Sequence, residues 1–219
     1  MKVDVLVTDP GHPVVPALLR WMDRVRGAHA VGLIHRADEA VGGDALFLVS
    51  CGELVGPELR ARYGHTLVLH ASDLPAGRGW SPHVWDIVGG AEAITVCLLD
   101  AAEPVDSGPV WLRQRVEIGG GWLHDEINEA LFAAEVELMD RWLELVERDE
   151  GFRPSTQAED GVTWHRRRTP ADSELDPERT LAEQFDLLRV ADPDRFPAFF
   201  ELRGRRYRLT LQRDPGDGR

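Results

Sequence analysis

Short apolar runs alternate with segments of helical apolar spacing from Val3 to Glu147, and this alternation restricts the fold more than any other feature. Val3–Thr8 is apolar and ends in Asp9-Pro10-Gly11, as a buried parallel strand does before its loop. Val14–Arg26 has the spacing of an amphipathic helix, and Ala30–Ile34 and Ala45–Ser50 read as further strands. Leu54–Tyr63 reads as a helix with Pro57 in its first turn, and Thr66–His70 as a fourth strand. Trp85–Val88 belongs to a short helix behind Ser81-Pro82, where proline is tolerated early. Ile94–Leu99 and Val110–Ile118 are two more strands, and His124–Glu147 is a long helix with Ile127, Leu131, Met139 and Trp142 on its apolar stripe. Strands alternating with helices make an α/β fold whose sheet is mostly parallel at its start.

The pattern stops near residue 148. We expect an α/β domain over residues 1–150, a linker over 151–163, and an extension over 164–213 packed on the domain. The extension should hold a helix near Leu181–Val190 and a β-hairpin across Pro197–Leu211 that turns at Gly204. The hairpin offers an edge that a homodimer could use. Residues 214–219 are expected to fray.

Composition excludes several classes. An apolar content of 43% and a charged content of 29% are those of an ordinary globular protein. No apolar run approaches the roughly 18 residues of a membrane span, and Asp4 comes too early for a secretory signal. Cys51 and Cys97 lack metal spacing and read as buried reduced thiols of a cytoplasmic protein. The net charge of −13 disfavours a nucleic acid partner, whose phosphates it would repel. That charge is uneven: residues 151–219 hold 13 Arg against 13 acidic residues, so residues 1–150 carry the whole −13. A locally basic tail on an acidic body suits an anion-binding patch or a merely solvated surface.

The chemistry-bearing pattern runs from His70 to Asp106: His70-Ala71-Ser72-Asp73-Leu74-Pro75, then Gly77-Arg78-Gly79-Trp80, and later Val105-Asp106-Ser107-Gly108-Pro109. Ligands of open α/β sheets bind beyond the carboxyl ends of the strands. His70 ends one strand and Asp106 follows another, so the two converge if those strands are neighbours. A His beside a carboxylate can take a proton from an attacking amine and stabilise charge on a carbonyl oxygen. A loop His bonded to backbone and an unrelated surface Asp would fit the same residues. The remaining histidines have no ligand spacing, so no metal site is expected.

The combination of His-x-Ser-x-Leu-Pro with a distant Val-Asp-Ser-Gly-Pro resembles the formyltransferases that use 10-formyltetrahydrofolate, over roughly residues 45–147. That family includes enzymes acting on methionyl-tRNA, glycinamide ribonucleotide and amino sugars. The resemblance implies a Rossmann-like sheet, a formyl transfer and a catalytic set of Asn, His and Asp. His70 and Asp106 match two of the three. The Asn belongs two positions before the His, where this chain has Val68, and its only Asn is Asn128. In the family that Asn helps bind the formyl oxygen as it becomes an oxyanion; losing such a donor typically costs about 10²–10³ in rate. Ser50, Ser72, Thr95, Ser107 and backbone N–H groups are the available stand-ins.

By position in the family fold, Phe47, Val49, Ser50 and Cys51, with Ala101, Ala102 and Val105, would hold the pterin. Gly77, Arg78, Gly79 and Trp80 would line the acceptor pocket. In Trp164-His165-Arg166-Arg167-Arg168 an extended backbone sends alternate side chains to one face, so Arg166 and Arg168 are the pair expected to grip an anionic acceptor. The segment from Thr169 to Phe199 looks like the one that closes the family's catalytic domain. With the acidic body, this implies a small amine acceptor, such as an amino sugar nucleotide or an amino-acid derivative, in place of tRNA. A folate- or amine-binding protein that has lost catalysis, or a hydrolase releasing formate, are the rival readings.

Overall fold

The computed structural model describes residues 1–148, 151–214 and 216. In chain order the elements are β1 (Lys2–Leu6), α1 (Val15–Val25), β2 (Ala30–Ile34), β3 (Gly43–Leu48), α2 (Pro57–Arg60), β4 (Tyr63–His70), β5 (Arg78–Gly79) and α3 (Pro82–Val88). They continue with β6 (Ala93–Asp100), β7 (Val110–Glu117), α4 (His124–Arg148), β8 (Trp164–His165), α5 (Phe185–Arg189), β9 (Ala198–Leu202) and β10 (Arg205–Leu209). Six strands form one sheet in the order β2-β1-β3-β4-β6-β7. The first four are parallel, whereas β4–β6 and β6–β7 are antiparallel. The α/β class and the parallel start agree with the sequence pattern.

Alternation along each strand divides the apolar residues between the two faces of the sheet. Val3, Val5, Ala45, Phe47, Leu67, Leu69, Val96 and Leu98 join Leu18 and Trp21 of α1 and Leu131, Leu138 and Trp142 of α4 in the main core. Phe47 sits at its centre, edge-on to Trp21 at 6.2 Å and to Trp142 at 5.5 Å. The opposite face carries Leu6, Leu46, Leu48 and Tyr63, and beside them Leu74, Cys97, Leu99 and Val110.

Three expectations change. The helix read over Leu54–Tyr63 shrinks to Pro57–Arg60, because Leu54 has nothing to pack on (83% exposed) and Tyr63 is claimed by β4. The Tyr63 hydroxyl donates to Asp4 at 2.6 Å, fixing that side chain under the sheet. The helix read over Leu181–Val190 becomes a 3₁₀ turn, Ala182–Gln184, followed by the short α5. Cys97 is a buried free thiol, but Cys51 is only half-buried.

The expected linker is tied down rather than free. Ser155 exchanges both backbone hydrogen bonds with Val110, at 2.8 and 2.9 Å, and β8 pairs in parallel with β5. Residues 149 and 150 of that segment, and 215 and 217–219 of the tail expected to fray, lie outside the described residues. The hairpin turns at Arg203-Gly204, both with positive φ (53° and 74°), the turn type whose twist matches its strands. Its base packs through Ala198, Phe200 and Leu209 against Leu175 and Leu188. No described helix is long and apolar enough to cross a membrane.

Candidate active site

His70 closes β4, and its partner in β6 is Cys97, whereas Asp100 at the end of β6 pairs with Leu67. The antiparallel strand therefore delivers its carboxyl end three residues away from His70, and a strand-end argument alone does not bring Asp106 to it. The loop from Ala101 to Pro109 folds back and does so. His70 Nδ1 lies 3.7 Å from Asp106 Oδ1, with both side chains buried. Asp106 has φ = 58°, a left-handed conformation that a non-glycine residue holds only where its surroundings impose it.

Residues 77–79 grip both partners. The Gly77 carbonyl, which can only accept, takes the His70 Nε2 proton at 2.9 Å. The Gly79 N–H donates to Asp106 Oδ2 at 2.9 Å. Glycine is required at 79: φ is +99°, and a Cβ would run into the His165 carbonyl. With the Nε2 proton committed to Gly77, Nδ1 is the ring nitrogen turned to Asp106. In the neutral form of the ring Nδ1 is an acceptor, and a proton that it takes up is held by the carboxylate opposite.

Two further histidines surround this corner. Burial, followed by the charges of His70, His12 and Arg168, lowers the His83 pKa to about 4, and its Nδ1 is enclosed without a partner among the described residues. His12, in the loop after β1, is lowered to about 4 by burial and then by Arg195, and its Nδ1 accepts the Val14 N–H at 3.2 Å. Both rings are neutral near pH 7 and leave the site without added positive charge. In the sequence His83 stands out only as a neighbour of the 77–79 loop that could line the acceptor pocket, and His12 not at all, because an isolated histidine carries no spacing signal.

Val68 points to the same face as His70 and packs with Leu74, Cys97, Leu99 and Val110. Among the stand-ins for its missing amide, Ser107 spends its hydroxyl on the Pro104 carbonyl at 2.6 Å. Ser72 keeps its hydroxyl unspent: it is buried, has no partner among the described residues, and lies against Gly77. Ser50 takes a left-handed conformation (φ 46°) at the end of the β3 segment. Thr95 is two residues before Cys97 on β6, beyond the pairing with His70.

The pterin set divides. Phe47 and Val49 have fully buried side chains in the main core, so only their backbone is left to face a ligand. Cys51 Sγ donates to the Glu53 carbonyl at 3.4 Å. Ala101 and Ala102 are half-buried and Val105 is 45% exposed, on the loop opposite the β3 end.

The arginines also divide. Arg166 and Arg168 do share a face, both lying over the Trp85 ring, at 4.9 and 5.8 Å. Both are engaged by the protein: Arg166 stays exposed but forms a two-pronged pair with Asp172, and Arg168 is buried, donating to the Asp172 carbonyl at 3.0 Å. Arg167 is the exposed cation of the three with no carboxylate partner among the described residues, and it lies 4.7 Å above the ring of Trp80. The tip of that ring lies close to Gly52. Arg78 is buried, with Nη2 donating to Gln157 Oε1 at 2.7 Å.

Residues 2–143 match the family described as Formyl transferase. The chain belongs to this family. A curated relative, the methionyl-tRNA formyltransferase of Ruegeria pomeroyi, is 34% identical over 187 residues, which cover 82% of this chain and 59% of the relative. This formyl transferase chain thus spans about three fifths of the length of that relative. Among solved structures, methionyl-tRNA formyltransferase from Clostridium thermocellum superposes with a TM-score of 0.81 at 19% identity, covering 99% of this chain and 95% of that one. HypX from Aquifex aeolicus in complex with tetrahydrofolic acid gives 0.78 at 20%, covering 99% and 40%. A 4-N formyltransferase from Francisella tularensis gives 0.74 at 16%, covering 97% and 98%. At these identities the structures share the fold of this family member. Among the described residues no cluster of His, Cys, Asp and Glu could hold a metal ion.

Proposed function

We propose that this chain moves a formyl group from 10-formyltetrahydrofolate to the primary amine of a small anionic metabolite, such as an amino sugar nucleotide or an amino-acid derivative. The carrying observation is the buried His70–Asp106 pair, with the Nε2 proton spent on Gly77 and the Nδ1 lone pair turned to the carboxylate. In the reaction the amine nitrogen bonds to the formyl carbon and the bond from that carbon to the folate nitrogen breaks, giving a formamide and tetrahydrofolate. His70 Nδ1 takes the proton lost by the amine, Asp106 stabilises the resulting imidazolium, and the folate nitrogen receives a proton as it leaves.

The folate donor is supported by family membership and by the tetrahydrofolic acid held in the HypX neighbour. We assign it to the side where the end of β3 (Ser50, Cys51) meets the 101–106 loop, with the Ser72 hydroxyl as the oxyanion donor. The small anionic acceptor is supported by the −13 of residues 1–150, which repels a polyanion as long as tRNA, and by Arg167 stacked on Trp80 at the rim. The test is an assay with 10-formyltetrahydrofolate and a panel of nucleotide-linked amino sugars, amino acids and methionyl-tRNA. A formylated small amine is the expected product; formylation of methionyl-tRNA alone would overturn the acceptor, and no formylated product the transfer.

Val68 favours one second reading, a folate-binding protein with little turnover. Val68→Asn separates the two. It should raise turnover about tenfold or more if a working site lacks only this donor, whereas a binding protein would hold folate and stay inactive.

A further inference from the structure

We infer that Gln157 is a positioning residue for Asp106, and that residues 155–165 form a strap that assembles the reacting pair. The inference rests on the proposed formyl transfer for its kinetic consequence alone. Between residues 151 and 163, Gln157 is the single buried side chain, in a stretch otherwise exposed or half-exposed. Its amide is used at both ends. Nε2 donates to the carbonyls of Asp106 and Gly108, each at 2.8 Å, and Oε1 accepts from Arg78 Nη2 at 2.7 Å. This fixes which way the amide points: turned over, its NH₂ would meet guanidinium N–H groups and its oxygen two carbonyl oxygens.

Of the two carbonyls that Gln157 ties, one is that of Asp106 itself, directly after its left-handed Cα, and the other is that of Gly108, two residues on. Arg78 stands between Gly77 and Gly79, which hold His70 Nε2 and Asp106 Oδ2. Arg78 is buried and has no carboxylate partner among the described residues; the Gln157 oxygen answers it, with the Trp164 ring 5.9 Å away. The rest of the strap holds the frame. Ser155 pairs with Val110, the Gly77 N–H reaches Thr163 Oγ1 at 2.8 Å, and the Arg78 and Trp80 N–H groups reach the carbonyls of Thr163 and His165 at 3.0 and 3.1 Å. One amide thus joins the loop that carries the acid to the loop that holds the base.

Gln157→Glu separates positioning from structure. The new carboxylate keeps and strengthens the bond to Arg78, so the fold is retained. It removes both donors and sets a negative charge against two carbonyl oxygens, which releases Asp106. We expect a fall in kcat of about 10²-fold with KM for the amine unchanged, the loss that a displacement of about 1 Å causes. The ring nitrogen NMR signals of His70 should move towards those of Asp106→Asn. Asp160→Ala, an exposed change in the same strap, should leave kcat at the wild-type value. If Gln157→Glu does not fold, Gln157→Met replaces it, being of similar length and without hydrogen bonds. Wild-type kcat together with wild-type His70 signals would overturn the proposal. A wild-type chain without turnover would overturn the formyl transfer, and the His70 signals would still decide the role of Gln157.

Discussion

The parallel and antiparallel halves of the sheet serve the site differently. In β1, β3 and β4 the strands run together, their carboxyl ends reach one edge, and His70 arrives there by being the last residue of its strand. On the other side β6 runs backwards, its end pairs level with Leu67, and Asp106 must return along a loop. His70 is placed by the sheet ladder; Asp106 is placed by hydrogen bonds from residues 79 and 157. A strand end comes with the fold, whereas a returning loop must be held by something else, and here that is a strap from later in the chain.

Substitutions can break or sharpen this contrast, beginning with the largest effect. His70→Ala and Asp106→Asn should each lower turnover by roughly 10²–10⁴-fold, with circular dichroism unchanged. A variant of either residue that works at the wild-type rate would remove the pair from the chemistry. Phe47→Ala tests the parallel half. Its ring lies between Trp21 and Trp142, so thermal unfolding should show a loss of about 3–5 kcal/mol with KM for the folate donor little changed.

The antiparallel side carries a buried acid beneath its strands. Glu135, on α4, is buried, its Oε2 has no partner among the described residues, and burial lifts its pKa from 4.5 to about 8. Below pH 4.5 both folded and unfolded chains bind this proton. From there to about pH 8 only the folded chain does, so stability falls as pH rises and levels off above about pH 8. Glu135→Leu should therefore raise Tm by several degrees at pH 8 and change it little near pH 4.5, as followed by calorimetry. The smallest effect compares two neighbours. Arg167→Ala should raise KM for an anionic acceptor about tenfold, an estimate for one lost charge-assisted contact, while Arg166→Ala should leave that KM alone.

Much of this was legible in the chain. The strands could be found because each is an apolar run bounded by breakers, and β4 with its terminal His70 was visible for that reason. Sheet order was not legible, so the convergence of His70 and Asp106 was expected for a reason the antiparallel β6 removes. The period of two put Arg166 and Arg168 on one face, but it does not say what that face meets; Trp85 and Asp172 occupy it. Gln157 carried no signal, since a lone amide in a polar stretch looks like any solvated residue until its three partners are in place. Phe47 was assigned by position in the fold, and alternation along β3 would have pointed it to the core.

The strap has a consequence for how the molecule becomes active. Gln157 reaches Asp106 across 51 positions, and Gly77 reaches Thr163 across 86. Contacts so distant in sequence form late, because the long intervening loop must be closed first. During synthesis the sheet and its histidine can form before the strap has been made, and the acid stays unplaced. Under the proposed formyl transfer, completion of the His70–Asp106 pair is then an end-point signal of folding: the pair is assembled only once nearly all of the domain is in place.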